Sequence, residues 1–188
     1  MTPESVFQKL LAKFGDKVSR SPASFNAIVG REHVRPVLSY LKEDPELAFD
    51  FLSDVTVVDH LLLELPEVGE RFAVVYQLTS LARSHRYQVK ARVPGDDPRV
   101  SSVVDLWSAA LWGEREAHDM YGVEFEGNPD LRRLLMPEDY PGFPLRKDYP
   151  LRGRGERDAF PQYRPGSGTG GAYMNDLPAQ AAREASAP

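Results

Sequence analysis

Apolar residues recur at helical spacing near the start of the chain. Val6, Phe7, Leu10, Leu11 and Phe14 share one face of residues 2–14, with Thr2 suited to cap that helix, Pro3 to its first position and Gly15 to its end. The same spacing returns over residues 31–44, where Val34, Val37, Leu38 and Leu41 align and Pro36 is tolerable because it falls in the opening turn. Residues 25–29 form a short strand candidate, and the β-branched run at 54–60 forms another. Two segments alternate apolar and polar positions: Phe72, Val74, Tyr76 and Leu78, then Tyr87, Val89, Ala91 and Val93. They predict an antiparallel hairpin closed by residues 80–85. After the loop Pro94-Gly95-Asp96-Asp97-Pro98, Ser102 with Asp105 resembles a capping box. It predicts a helix to about Tyr121, with Val103, Leu106, Trp107, Ala110 and Leu111 as its stripe and Gly122 as its stop. This order of elements predicts an α+β fold, a small antiparallel sheet packed with helices, over residues 1–121.

The pattern then changes. Residues 122–150 are crowded with Gly and Pro yet hold Val123, Phe125, Leu131, Leu134, Leu135, Met136, Tyr140, Phe143, Leu145 and Tyr149. That is too apolar for a solvated tail and too interrupted for a core of its own. Asn128-Pro129 can start a helix that Pro137 limits to little more than two turns. Ordering such a segment costs more conformational entropy than ten apolar side chains return on burial. The expectation is therefore an extended arm over residues 122–157, laid partly on its own domain and partly on another protein. Residues 158–188 read as a flexible, Gly- and Pro-rich tail.

Composition narrows the functions available. The 188 residues carry a net charge of −5 with acids and bases interleaved, which argues against nucleic-acid binding. No apolar run reaches the roughly 18–20 residues of a membrane span, and the N-terminus has no signal-peptide pattern, so a cytoplasmic protein is expected. The sequence has no cysteine, which excludes disulfides, thiol chemistry and an all-Cys iron–sulfur cluster.

The densest run of titratable residues is Glu114-Arg115-Glu116-Ala117-His118-Asp119. Glu114, Glu116, His118 and Asp119 could in principle ligate a metal, which would make the chain a metal-dependent enzyme. Helical geometry sends Glu116 and His118 to different sides, and a charged helix end with Arg115 paired to Asp119 explains the run more simply. Gly166-Ser167-Gly168-Thr169-Gly170-Gly171 fits G-x-G-x-x-G, but Pro165 precedes it and no strand leads in, so it reads as linker rather than dinucleotide site. The four histidines, His33, His60, His85 and His118, are scattered. Trp107 fits the helical stripe, while Trp112 is left for a partner or the sheet edge. Along the arm, Arg132, Arg133, Arg146 and Lys147 alternate with Asp130, Glu138, Asp139 and Asp148 among the apolar residues. That mixture suits a protein partner, with apolar anchors and a charged rim.

The run from Glu114-Arg115-Glu116 to Asp119-Met120-Tyr121-Gly122 continues as Asp130-Leu131-Arg132-Arg133-Leu134-Leu135-Met136-Pro137-Glu138-Asp139-Tyr140. It closes with Gly142-Phe143-Pro144-Leu145-Arg146-Lys147-Asp148-Tyr149-Pro150. Over residues 114–150 this resembles the signature of the 30 kDa-type (C-type) subunit family of respiratory complex I, the proton-translocating NADH:quinone oxidoreductase. Phe49-Asp50-Phe51-Leu52-Ser53-Asp54 and the hairpin are compatible with it. The resemblance implies a structural and assembly subunit of the peripheral arm, on the cytoplasmic side of the membrane, bound chiefly to the quinone-site (D-type) subunit. It implies no cofactor or metal on this chain and no catalytic residues. FMN and iron–sulfur clusters on partner subunits would carry electrons from NADH to quinone. The partner interface it implies comprises Glu116, Asp119, Tyr121, Arg132, Arg133, Leu134, Met136, Asp139, Phe143, Leu145, Lys147 and Asp148. The same motif occurs in related membrane-bound hydrogenases and ferredoxin:quinone oxidoreductases. One position departs from the family pattern: Asn128 stands where the family commonly has His, which preserves capping but removes an imidazole.

Overall fold

The computed structural model describes residues 2–21, 26–62 and 70–154. The chain divides into two units, Met1–Pro150 and Leu151–Pro188, and the first holds every element named below. The Gly-rich hexapeptide at 166–171 and the tail expected at 158–188 lie outside the described residues.

Helix α1 (Pro3–Phe14) starts as its sequence predicts, with the Thr2 hydroxyl accepting from the Ser5 amide at 3.3 Å. Strands β1 (Val18–Arg20) and β2 (Ala27–Gly30) precede helix α2 (Val34–Glu43), in whose first turn Pro36 sits without breaking a hydrogen bond. Strands β3 (Phe51–Asp59), β4 (Phe72–Ser80) and β5 (His85–Val93) form a meander. Strand β6 (Arg99–Ser101), helix α3 (Ala110–Tyr121) and strand β7 (Glu124–Glu126) complete the order.

The sheet order is β1-β2-β5-β4-β3. The β4–β5 hairpin has the expected alternation, and its inner face (Phe72, Val74, Tyr76, Leu78, Tyr87, Val89, Ala91 and Val93) joins one core. That core also holds Val6 and Leu10 of α1, Val37 and Leu41 of α2, and Ala110 and Ala117 of α3. The α+β reading holds, but the sheet is mixed: β2 runs parallel to β5. The crossover through α2, β3 and β4 separates the two strands in sequence, and no local pattern announces that pairing.

Three expectations are corrected. The helix expected from Ser102 begins only at Ala110. The Ser102 amide donates to the Glu126 carbonyl and its hydroxyl donates to Glu114, so Ser102 joins a sheet and a buried polar cluster instead of capping a helix. No helix follows Asn128: its side-chain oxygen accepts from the Asp130 amide, an Asx turn that competes with helix formation. The body does not end at residue 121. Strand β7 pairs in parallel with β6, and Val123 and Phe125 are fully buried in the core.

Candidate docking arm and its buried anchors

From Gly127 to Pro150 the chain has no helix or strand, yet its backbone is tied closely to the helix before it. Four anchors do this, and three of them start from α3.

The first is Glu114, whose carboxylate is fully buried. It accepts from the Ser102 hydroxyl at 2.6 Å, the Val103 amide at 2.8 Å and the Asn128 side-chain amide at 2.8 Å. Burial pushes its carboxyl above the ordinary range, and these three neutral donors only partly offset that. One residue on, the Arg115 guanidinium donates to the Arg132 and Arg133 carbonyls and lies 3.4 Å from Asp130. The i,i+4 pairing of Arg115 with Asp119 expected from sequence is not made; both side chains turn to the arm.

Asp119 is the second anchor, also fully buried. Its Oδ2 accepts from three consecutive amides, Leu134, Leu135 and Met136, at 2.9, 2.7 and 2.9 Å. Its Oδ1 accepts from Arg133 Nη1 at 2.8 Å. Burial alone would raise this carboxyl, but the amides and the guanidinium together hold it below the usual range. The other arm of the Arg133 fork reaches the Tyr140 and Gly142 carbonyls at 2.9 and 3.1 Å.

The third anchor is the C-terminus of α3. Gly122 closes the helix in the left-handed region at φ +71°, and the Phe143 ring and the Arg146 guanidinium lie where a Cβ would be, 2.6 Å away. Leu145 donates its amide to the Met120 carbonyl, and Arg146 Nε donates to the Tyr121 carbonyl, placing a cation at the negative end of the helix.

The fourth is Asp59 at the end of β3, which accepts from Arg71 at 3.0 Å and from the Lys147 amide at 2.9 Å. Burial opposes its charge, but Arg71 and the amides keep its carboxyl below the ordinary range. Arg71 also meets Asp148 at 2.9 Å. The Tyr140 and Tyr149 hydroxyls, 2.7 Å apart, close the far loop.

The twelve residues expected at an interface therefore separate. Asp119 and Arg133 face inward and hold the chain's own backbone. Asp148 is ion-paired to Arg71, and Arg132 to Asp130. Tyr121, Leu134, Met136 and Phe143 are half-buried, whereas the side chains of Glu116, Asp139, Leu145 and Lys147 are exposed. Sequence reasoning missed Asp59, Arg71, Arg115 and Arg146 as anchors. It also left Leu135 out of the interface, although that side chain is 61% exposed, with Trp112 at 57% and Leu145 at 47%. The residues considered for a metal do not converge. Glu114 and Asp119 serve separate hydrogen-bond sets, His118 Nδ1 lies 3.0 Å from the Val123 carbonyl, and Glu116 is exposed. The arrangement places a backbone and leaves apolar side chains facing out.

The family described as "Respiratory-chain NADH dehydrogenase, 30 Kd subunit" matches residues 27–155, more than half the chain. The chain belongs to this family. A curated relative from Rhizobium meliloti, the second C-type subunit of its NADH-quinone oxidoreductase, is 46% identical over 147 residues, covering 77% of this chain and 78% of its own. NADH-quinone oxidoreductase subunit 5 of Thermus thermophilus is 44% identical over 129 residues, covering 66% of this chain and 60% of its own. Among solved structures, a trypsin-resistant fragment (1-134) of Nqo5 aligns with TM-score 0.59 and 36% identity, over 70% of this chain and all of the fragment. A chain of the membrane-bound sulfane sulfur reductase, an archaeal respiratory membrane complex, aligns with TM-score 0.61 and 27% identity, over 79% and 85%. The family match spans both the sheet from β2 onward and the anchored arm. No helix among the described residues is long and apolar enough to cross a membrane.

Proposed function

We propose that this chain is the 30 kDa-type component of a proton-translocating NADH:quinone oxidoreductase, where it scaffolds and assembles the peripheral arm without a redox centre of its own. FMN and iron–sulfur clusters on other subunits carry the electrons from NADH to quinone. This chain docks chiefly on the quinone-site subunit, on the cytoplasmic side of the membrane. The observation that carries the reading is the arm: four buried anchors fix its backbone, while Leu135 and Leu145, with Trp112 of α3, stay exposed. Apolar side chains held outward on an ordered backbone are what a protein partner buries. The absence of cysteine agrees with a cluster-free role, and the buried carboxylates are engaged in holding main chain rather than facing a cavity.

The test is purification of the tagged chain from native membranes, followed by cross-linking from the exposed Lys147. The expected outcome is recovery of the oxidoreductase with cross-links concentrated on its quinone-site subunit. Recovery with another complex, or cross-links confined to other subunits, overturns the assignment.

A further inference from the structure

We infer that the arm is a strap closed on its own chain before any partner arrives, hinged at Gly127 and latched by Asp119, so that docking buries side chains without folding backbone. Three successive amides converging on one point form a concavity of the kind that binds anions. Here the anion is the chain's own Asp119, in the last turn of α3. The closure propagates from there. Arg133, held on Oδ1 by one nitrogen, uses the other to fix the Tyr140 and Gly142 carbonyls, which lie seven and nine residues further on. Its guanidinium also lies 5.4 Å from the Phe143 ring, which itself rests on Gly122. At the base of the strap Gly127 adopts φ +92°, with open space where a side chain would be, so the chain can pivot there without steric resistance.

The alternative is an arm that is open in the free subunit and folds only on its partner, with the ordering entropy lost at binding. The two are told apart on the isolated full-length chain by hydrogen exchange at the Leu134, Leu135 and Met136 amides. The closed strap predicts exchange at least about 100-fold slower than in an unstructured chain. Exchange at unstructured rates, with the β4 and β5 amides protected, overturns the inference by itself. An Asp119→Ala variant adds a second reading. Protection should fall at those three amides and persist in β4 and β5, and added formate, a free carboxylate, should slow the three amides again. Unchanged protection in the variant contradicts the latch. Should the variant not fold, the wild-type exchange decides alone. The outcome is independent of which complex the chain serves, so it can fail while the proposed function stands.

Discussion

At the residue scale the chain uses buried carboxylates in two opposite electrostatic settings. Asp59 and Asp119 each have an arginine and backbone amides, and their carboxyls sit below the ordinary range. Their contribution to stability is present above the unfolded carboxylate value of about 3.8 and is lost as pH falls through the depressed native values. Removing the charge of Asp59 strips Arg71 of its buried partner, so Asp59→Asn should cost about 3 kcal/mol at pH 7. In denaturant titrations that difference should shrink below about pH 3.8. Glu114 is the reverse. Burial raises its carboxyl, so the native state holds the proton more tightly than the unfolded chain, and its contribution weakens as pH rises through the native value. Glu114→Gln should therefore gain stability relative to wild type between about pH 4.5 and 7, read as a rising difference in denaturant midpoint. A difference that falls over that interval contradicts the assignment. The Asn128 departure from the family pattern is legible here. A neutral amide donates to Glu114 and, with its oxygen, organises the Asp130 turn, so this position supplies hydrogen bonds and no titrating charge.

At the element scale, what is legible in the sequence follows period. The α1 and α2 stripes and the β4–β5 alternation can be read because each element buries one face at its own repeat. Strands β1, β6 and β7 cannot, since three residues carry no period and each exists through a partner outside its own segment, as Val100 does against Phe125. The start of α3 is misleading for a related reason: Ser102 and Asp105 look like a cap, but Ser102 is claimed by β7 and Glu114, and Asp105 pairs with Arg35. The stop at Gly122 is legible, and its positive φ explains why. Gly122→Ala should cost about 1–3 kcal/mol through backbone strain alone, and more because the new Cβ meets Phe143 and Arg146. Thermal unfolding measures this. A neutral substitution would show that the arm does not press on the helix end.

At the scale of the whole molecule, the arm is legible as a docking segment but its attachment is not. Composition points to a foreign surface as the main source of order, because the carboxylates that hold the backbone lie on α3 and β3, remote from the arm in sequence. Side-chain burial divides the arm: Phe143 rests on Gly122 and serves this chain, whereas Leu135 and Leu145 face away from it. Substituting Phe143 would therefore damage the fold and the interface together, and cannot separate them. Leu135→Asp with Leu145→Asp changes two exposed side chains and leaves both backbone amides free to donate to Asp119 and to Met120.

Incorporation of that double variant into the NADH:quinone oxidoreductase, measured by affinity purification from membranes beside the wild-type chain, tests the central claim most directly. The variant should unfold at the wild-type temperature and yet be missing from the assembled complex. A normally folded variant recovered in the complex at the wild-type level would contradict the claim that this arm is the docking surface.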